Sequence, residues 1–247
     1  PMTVTGFMSV GVKAAAFAVF LRVFFEGFST LEVQWMQVLW VISVFTMTIG
    51  NLAAIVQRSI KRMLAYSSIS HAGYALVGVV ASYGEKELGL SSVLYYLFAY
   101  TFMNLGAFGT LAYLSLKDRE CEMLEDISGL WQRKPLVAIA LGIFMFSLAG
   151  IPPTIGFFAK YRVFLSAIRA EFYWLAIIGI LNSVLSAYYY LRVLVYAYMR
   201  EEQMEFPAPQ PLSAFAIAIL SLGTLILGIF PLYSWELAIK AAESFIP

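Results

Sequence analysis

Leu148-Ala149-Gly150-Ile151-Pro152-Pro153-Thr154-Ile155-Gly156-Phe157-Phe158-Ala159-Lys160 lies inside one apolar stretch that runs from about Pro135 to Ile168. At about 1.5 Å per residue, these roughly 34 residues would overrun a hydrocarbon core of about 30 Å if they formed one straight helix. The stretch must break, tilt, or do both. Tandem prolines remove two backbone donors, so Gly150, Ile151, Pro152 and Pro153 mark the break, and the carbonyls left without partners must face protein or a polar cavity. Lys160 follows about two helical turns later. A lysine at that depth costs about 2.5–3.5 kcal/mol on insertion scales, so one that faces the bundle interior is a candidate carrier of ions or protons.

The surrounding chain has the same character. Of its 247 residues, 61% are hydrophobic and 13% charged, where a soluble domain carries about 25% charged residues. The fold class is therefore an all-α, polytopic membrane protein. Apolar runs predict seven transmembrane helices at 3–25, 34–56, 61–82, 89–116, 135–168 (the discontinuous one), 171–198 and 211–231. No cleavable signal peptide is visible, since the first run continues without a small-residue cleavage pattern. The absence of an initiator methionine before Pro1 suggests part of a longer chain.

Two connectors carry information. Residues 118–133 place Met123, Leu124, Ile127, Leu130 and Trp131 on one helical face, which predicts a short helix lying at the interface. Residues 201–211 are acidic and proline-rich and read as an exposed loop. Arg58, Lys61, Arg62, Lys117, Arg119, Arg133, Lys134 and Arg200 fall on the side that holds Pro1, against Lys86, Arg169 and Lys240 opposite, with Arg22 near them. The positive-inside tendency makes the first side cytoplasmic and puts the C-terminus across the membrane.

Three ionisable residues lie deep in these spans. Lys13, in Gly11-Val12-Lys13-Ala14-Ala15, is too far from either end to snorkel comfortably. His71, the single histidine, sits among Tyr66, Ser67, Ser70 and Tyr74, polar neighbours that suit a hydrated path; the bland alternative is a hydrogen-bonded core histidine. Lys160 completes the set. Burying an ammonium costs free energy that a moving counter-charge or a change in hydration can alter, so such a lysine can exchange its proton. Arg162 and Arg192 lie nearer span ends and read as structural.

Energy for uphill transfer is not visible on this chain. It has no Walker A run, no dinucleotide glycine fingerprint, no clustered cysteines and no second histidine for haem or a metal site. Cys121 alone cannot form a disulfide within the chain and reads as an inert thiol. No metal site, resident cofactor or nucleic-acid partner is expected, and the driving reaction must lie on partners. An internal echo, Phe20-Leu21-Arg22-Val23 against Tyr190-Leu191-Arg192-Val193, recurs five spans apart and thus in opposite direction, as in an inverted repeat.

Gly50-Asn51-Leu52-Ala53-Ala54-Ile55-Val56-Gln57 and Ile60-Lys61-Arg62-Met63-Leu64-Ala65-Tyr66-Ser67-Ser68-Ile69-Ser70-His71-Ala72-Gly73-Tyr74 resemble the antiporter-like membrane subunits of respiratory complex I, the bacterial type I NADH:quinone oxidoreductase. The segment from Leu148 to Lys160, with Tyr188-Tyr189-Tyr190-Leu191-Arg192-Val193, is most similar to the N-type subunit, the relative of mitochondrial subunit two. The resemblance covers essentially the whole chain, aligned with helices eight to fourteen of a fourteen-helix family.

That resemblance implies the second half of an inverted-repeat, antiporter-like fold. Residues 1–33 would be the last helix of the first repeat plus a loop, 34–200 the second five-helix repeat, and 201–247 a terminal transmembrane helix and tail. It implies proton transfer through Lys13, His71 and Lys160 along a mid-membrane polar path, with Tyr66, Ser67, Ser70, Tyr74 and Tyr188 as support. It also implies the bacterial inner membrane, neighbouring complex I membrane subunits as partners, and NAD, flavin, iron-sulfur clusters and quinone on those partners. The family's glutamate and lysine pair on earlier helices is not present here. The competing readings are a subunit of a multisubunit sodium/proton antiporter and a non-conducting scaffold.

Overall fold

A computed structural model describes residues 1–116, 119–201, 206–208 and 210–245. Among them six helices are long and apolar enough to cross a membrane: α1 (Met2–Gly27), α2 (Glu32–Ile55), α3 (Ile60–Ala81), α4 (Lys86–Leu114), α7 (Tyr173–Met199) and α8 (Pro211–Ile229). The expectation of seven is corrected on this point. The stretch 135–168 forms two 15-residue helices, α5 (Pro135–Ala149) and α6 (Ile155–Arg169), each about 22 Å long at 1.5 Å per residue and short of a full crossing. A further helix, α9 (Leu232–Glu243), replaces the expected tail and packs on α4, with Trp235 buried beside Tyr95.

Helix ends follow local chemistry. Ser59 caps α3, its side chain accepting from the Arg62 N–H, and Pro135 and Pro211 sit at the first positions of α5 and α8, where a missing N–H costs nothing. Helix α1 is not uniform: π-helical turns at Met8–Val12 and Val23–Gly27 flank its α-helical middle. The first ends directly before Lys13.

Burial separates the helices by role. In α3 and α4, 72% and 67% of the most apolar window is buried, against 22% in α1 and 17% in α8, so α3 and α4 form the bundle centre. Without water to expel between helices in lipid, close approach through small residues does the packing. Gly50 on α2 and Gly73 on α3 supply it: a Cβ at either would lie 2.8 Å from the backbone nitrogen of Ser70 or Met47, respectively. Ser43 Oγ donates to the Gly73 carbonyl at 2.9 Å across the same contact. Around this centre, α7 packs on α2 and α3, while α5 and α6 pack on α4.

The connector after α4 differs from the expected interfacial helix. It forms a 3-10 turn at Glu125–Ile127 and a single helical turn at Leu130–Arg133, separated by Gly129 at φ 72°. Asp126 is the cause: its Oδ2 accepts from the Glu122 and Met123 N–H groups at 3.0 and 2.8 Å, and its Oδ1 from Arg119 at 2.9 Å. A side chain that bonds local backbone in this way competes with helix formation. Leu124, Ile127 and Leu130 are buried as expected, whereas Met123 and Trp131 are exposed. Lys117 and Asp118, and most of the acidic loop at 202–205, lie outside the described residues.

Candidate functional site

The break between α5 and α6 has a specific chemistry. Gly150, at φ 87°, ends α5 in a Schellman motif: the Ile151 N–H donates to the Phe146 carbonyl at 2.9 Å and the Gly150 N–H to the Ser147 carbonyl at 3.0 Å. The next two carbonyls, those of Leu148 and Ala149, would in a continuing helix accept from positions 152 and 153. Both positions are proline and have no N–H. Lys160 Nζ takes those two carbonyls, each at 2.9 Å, and spends its third donor on Ser183 Oγ at 2.9 Å. Its ammonium thus lies at the negative end of α5, where a helix favours positive charge. Gly156 lets α6 return against α5; a Cβ there would lie 1.9 Å from the Ser147 carbonyl oxygen.

His71 sits at the centre of α3, 2% exposed, between two tyrosine hydroxyls. Nδ1 bonds Tyr96 at 2.6 Å and Nε2 bonds Tyr190 at 3.0 Å, and Tyr190 in turn bonds Ser67 Oγ at 2.6 Å. A neutral imidazole donates at one nitrogen and accepts at the other, and a tyrosine hydroxyl does both, so either tautomer is accommodated. Ring contacts extend to both lysines. Tyr74 lies 5.7 Å from the His71 ring and 5.2 Å from Lys160 Nζ; Tyr100 lies 4.8 Å from His71 and 4.4 Å from Lys13 Nζ.

Lys13 points inward. Its Nζ donates to the Ser68 carbonyl at 2.5 Å and Ser68 Oγ at 2.7 Å, one turn of α3 before His71. One turn before Lys13 on α1, Ser9 Oγ accepts from Asn104 Nδ2 at 2.6 Å. The three titratable residues read from sequence therefore share one line through the bundle, held by α1, α3 and α6.

The polar residues around them are only partly those expected. Ser67, Ser70 and Tyr74 are buried, but Tyr66 is 38% and Tyr188 59% exposed. These two face away from the line because the helical period gives the inward positions to Ser67 and Ser70 on α3 and to Tyr189 and Tyr190 on α7. Ser70 Oγ is buried with no hydrogen-bond partner among the described residues. Asn51, quoted above only as part of a motif, is the hub of a second layer. Its Nδ2 donates to Tyr74 OH, Asn182 Oδ1 and the Asn182 carbonyl at 3.0–3.2 Å, and its Oδ1 accepts from Tyr189 at 2.9 Å. Arg192 closes that layer by donating to the Ile55 and Gln57 carbonyls at 2.9 and 2.6 Å, capping α2. Mid-span asparagines and the paired tyrosines after Tyr188 were the available signal.

Residues 1–186 match the family described as NADH:quinone oxidoreductase/Mrp antiporter, transmembrane. The chain belongs to that family. It is 45% identical over 247 residues to NADH-quinone oxidoreductase subunit N 1 of Solibacter usitatus, covering 99% of this chain and 50% of that protein. In structure it is similar to a chain of respiratory complex I from Thermus thermophilus (31% identity, TM-score 0.72, 81% of this chain and 45% of that one). The fold is also that of a chain of the Mrp complex from Dietzia sp. DQ12-45-1b (23% identity, TM-score 0.83, 94% and 51%). The chain spans about half the length of the curated relatives it matches.

Among the described residues no group of three or more His, Cys, Asp or Glu is placed to hold a metal. Cys121 is buried, and burial pushes its thiol up to about 12. Arg162 packs between Phe158 and Trp235, 4.8 and 4.1 Å from their rings. At the edge of the bundle, Lys61 pairs with Glu120 at 2.7 Å and Glu122 at 2.6 Å, holding the connector against α3.

Proposed function

We propose that this chain serves as part of the N-type, proton-translocating membrane subunit of a bacterial NADH:quinone oxidoreductase, in the inner membrane among other membrane subunits of that complex. Residues 1–33 then close a first repeat, 34–200 form the second, with α5 and α6 as the two halves of its discontinuous helix, and 201–247 supply a terminal transmembrane helix and the segment after it. The side holding Pro1 faces the cytoplasm and the C-terminus lies opposite. NAD, flavin, iron-sulfur clusters and quinone belong to partner subunits, whose electron transfer supplies the driving force; moving one charge against 100 mV requires about 2.3 kcal/mol.

The observation that carries this reading is the inward alignment of Lys13, His71 and Lys160. Membrane-embedded basic groups that face a bundle interior, each held by neutral oxygens or hydroxyls, are suited to lose and regain a proton as nearby charge moves. His71 then passes protons between Tyr96 and Tyr190 by exchanging tautomers, and ordered water supplies the steps to either lysine. Ring faces align these groups without themselves carrying protons.

The test is Lys13→Ala and Lys160→Ala in the assembled complex, reconstituted in vesicles. Quinone-linked proton pumping should fall several-fold while the complex still assembles; normal pumping without either lysine would favour the scaffold. The family's Mrp branch supports one other reading, a sodium/proton antiporter subunit driven by ion gradients. Co-purification with flavin and iron-sulfur subunits excludes it.

A further inference from the structure

Leu148, Ala149 and Ser183 present three neutral oxygens to a single point, each 2.9 Å from the nitrogen that occupies it. Two of these are backbone carbonyls that no residue of their own helix can satisfy, because the partners they would have are Pro152 and Pro153. The α5 C-terminus adds its partial negative charge, and the Tyr74 ring face lies 5.2 Å from the same point. Every feature favours a cation. We propose that the helix break is a monovalent-cation cradle, built from the Leu148 and Ala149 carbonyls, Ser183 Oγ and the Tyr74 ring, which Lys160 fills as a tethered ammonium.

The chemistry selects the ion class. Spacings of 2.9 Å match N–H···O bonds and exceed the roughly 2.0–2.6 Å at which magnesium and calcium take oxygen. Ligands that are carbonyls and a hydroxyl supply dipoles rather than formal charge, which suits one positive charge. A cleft of about 300 Å³, lined by Gly150, Phe157, Lys160, Phe164, Ser183 and Val184, opens beside the ammonium. Shortening Lys160 to alanine joins that cleft to the cradle and leaves three oxygens facing space large enough for a small alkylammonium. The inference rests on the static coordination of the break and is independent of whether Lys160 conducts protons.

The experiment uses the assembled complex carrying Lys160→Ala, with thermal unfolding of this subunit as the readout. Ammonium and methylammonium should raise the midpoint saturably, by about 2–4 °C. Tetramethylammonium, which has no N–H to donate, should not, and the native complex should respond to none of the three. Adding Ser183→Ala to the variant should weaken methylammonium binding about tenfold, the value of one charged hydrogen bond. No response in Lys160→Ala, or an equal response in the native complex, overturns the cradle. If Lys160→Ala does not assemble, assembly becomes the readout in cells grown with methylammonium: recovery of the complex with it but not with tetramethylammonium supports the cradle, and equal failure with both overturns it. The outcome is separable from proton pumping, since a variant that still pumps refutes the relay while leaving the cation response intact.

Discussion

Lys13 and Lys160 are the same residue type and both turn toward α3, yet the bundle accommodates them by different means. Around Lys160 the backbone itself is opened: a Schellman cap and two prolines free two carbonyls, and the ammonium takes both. Lys160 is 5% exposed with all three donors used. Around Lys13 no helix is broken. A π-helical turn ends at Val12, and the ammonium reaches a single residue, Ser68, of a continuous neighbouring helix. Discontinuity is thus one way to solvate a buried charge, and a wide helical turn that re-aims the side chain is another. The first is buried with all three donors placed, the second half-buried, bonded to one residue and lying over the Tyr100 ring.

The comparison makes graded predictions. The largest effect is expected at the break, where Lys160→Met leaves the Leu148 carbonyl without a donor, at about 1–3 kcal/mol, and the Ala149 carbonyl with only the long 3.5 Å bond from Ser183 Oγ, more than Lys13→Met costs. Thermal unfolding of the two variants in the complex measures the difference, and equal losses would dissolve the distinction. Gly150→Ala comes next. It forces an alanine to φ 87° and puts its Cβ 2.8 Å from Lys160 Cδ, for a loss of about 1–2 kcal/mol or more and a lower rate of pumping.

Between the lysines, Tyr190→Phe removes the hydroxyl on His71 Nε2 and Ser67 and should reduce pumping several-fold. Tyr188→Phe, on the outward face of the same helix, should change stability by no more than about 0.5 kcal/mol and leave pumping unaltered. Matching defects in both would show that the inward face of α7 has no special role.

The smallest effect concerns the connector. Its Lys61 partner, and then the Met2 N–H, hold the Glu120 carboxyl down at about 2 from an ordinary 4.5. A carboxylate lowered by folding contributes stability above its unfolded value, and that contribution disappears as pH falls from about 4.5 through 2. Hydrogen-exchange protection at residues 119–126, taken relative to the intrinsic exchange rate at each pH, should therefore fall over that interval in the native protein, and a Glu120→Gln variant should lack the step.

Much of this was legible in one dimension. Apolar runs fixed where helices lie to within a few residues, since length and composition are what the bilayer demands. The prolines at 152 and 153 announced the break, but the run of residues 135–168 could not show that the two pieces are separate 15-residue helices. The interfacial helix expected at 118–133 failed because apolar periodicity ignores a local side chain such as Asp126, which captures backbone donors by itself. Tyr66 was read as path support from its nearness to His71 along the chain and Tyr188 from the family resemblance; the rotation of their helices leaves both exposed in this chain.

By itself the sequence determined that lysines, a histidine and a proline pair would sit inside a membrane bundle, because lipid tolerates such residues only where protein surrounds them. Which oxygens hold each charge was decided by the tertiary structure alone. Hydrogen bonds act over about 3 Å, and Lys160 finds Ser183, or Asn51 finds Asn182 and Tyr189, only after separate helices have been packed face to face.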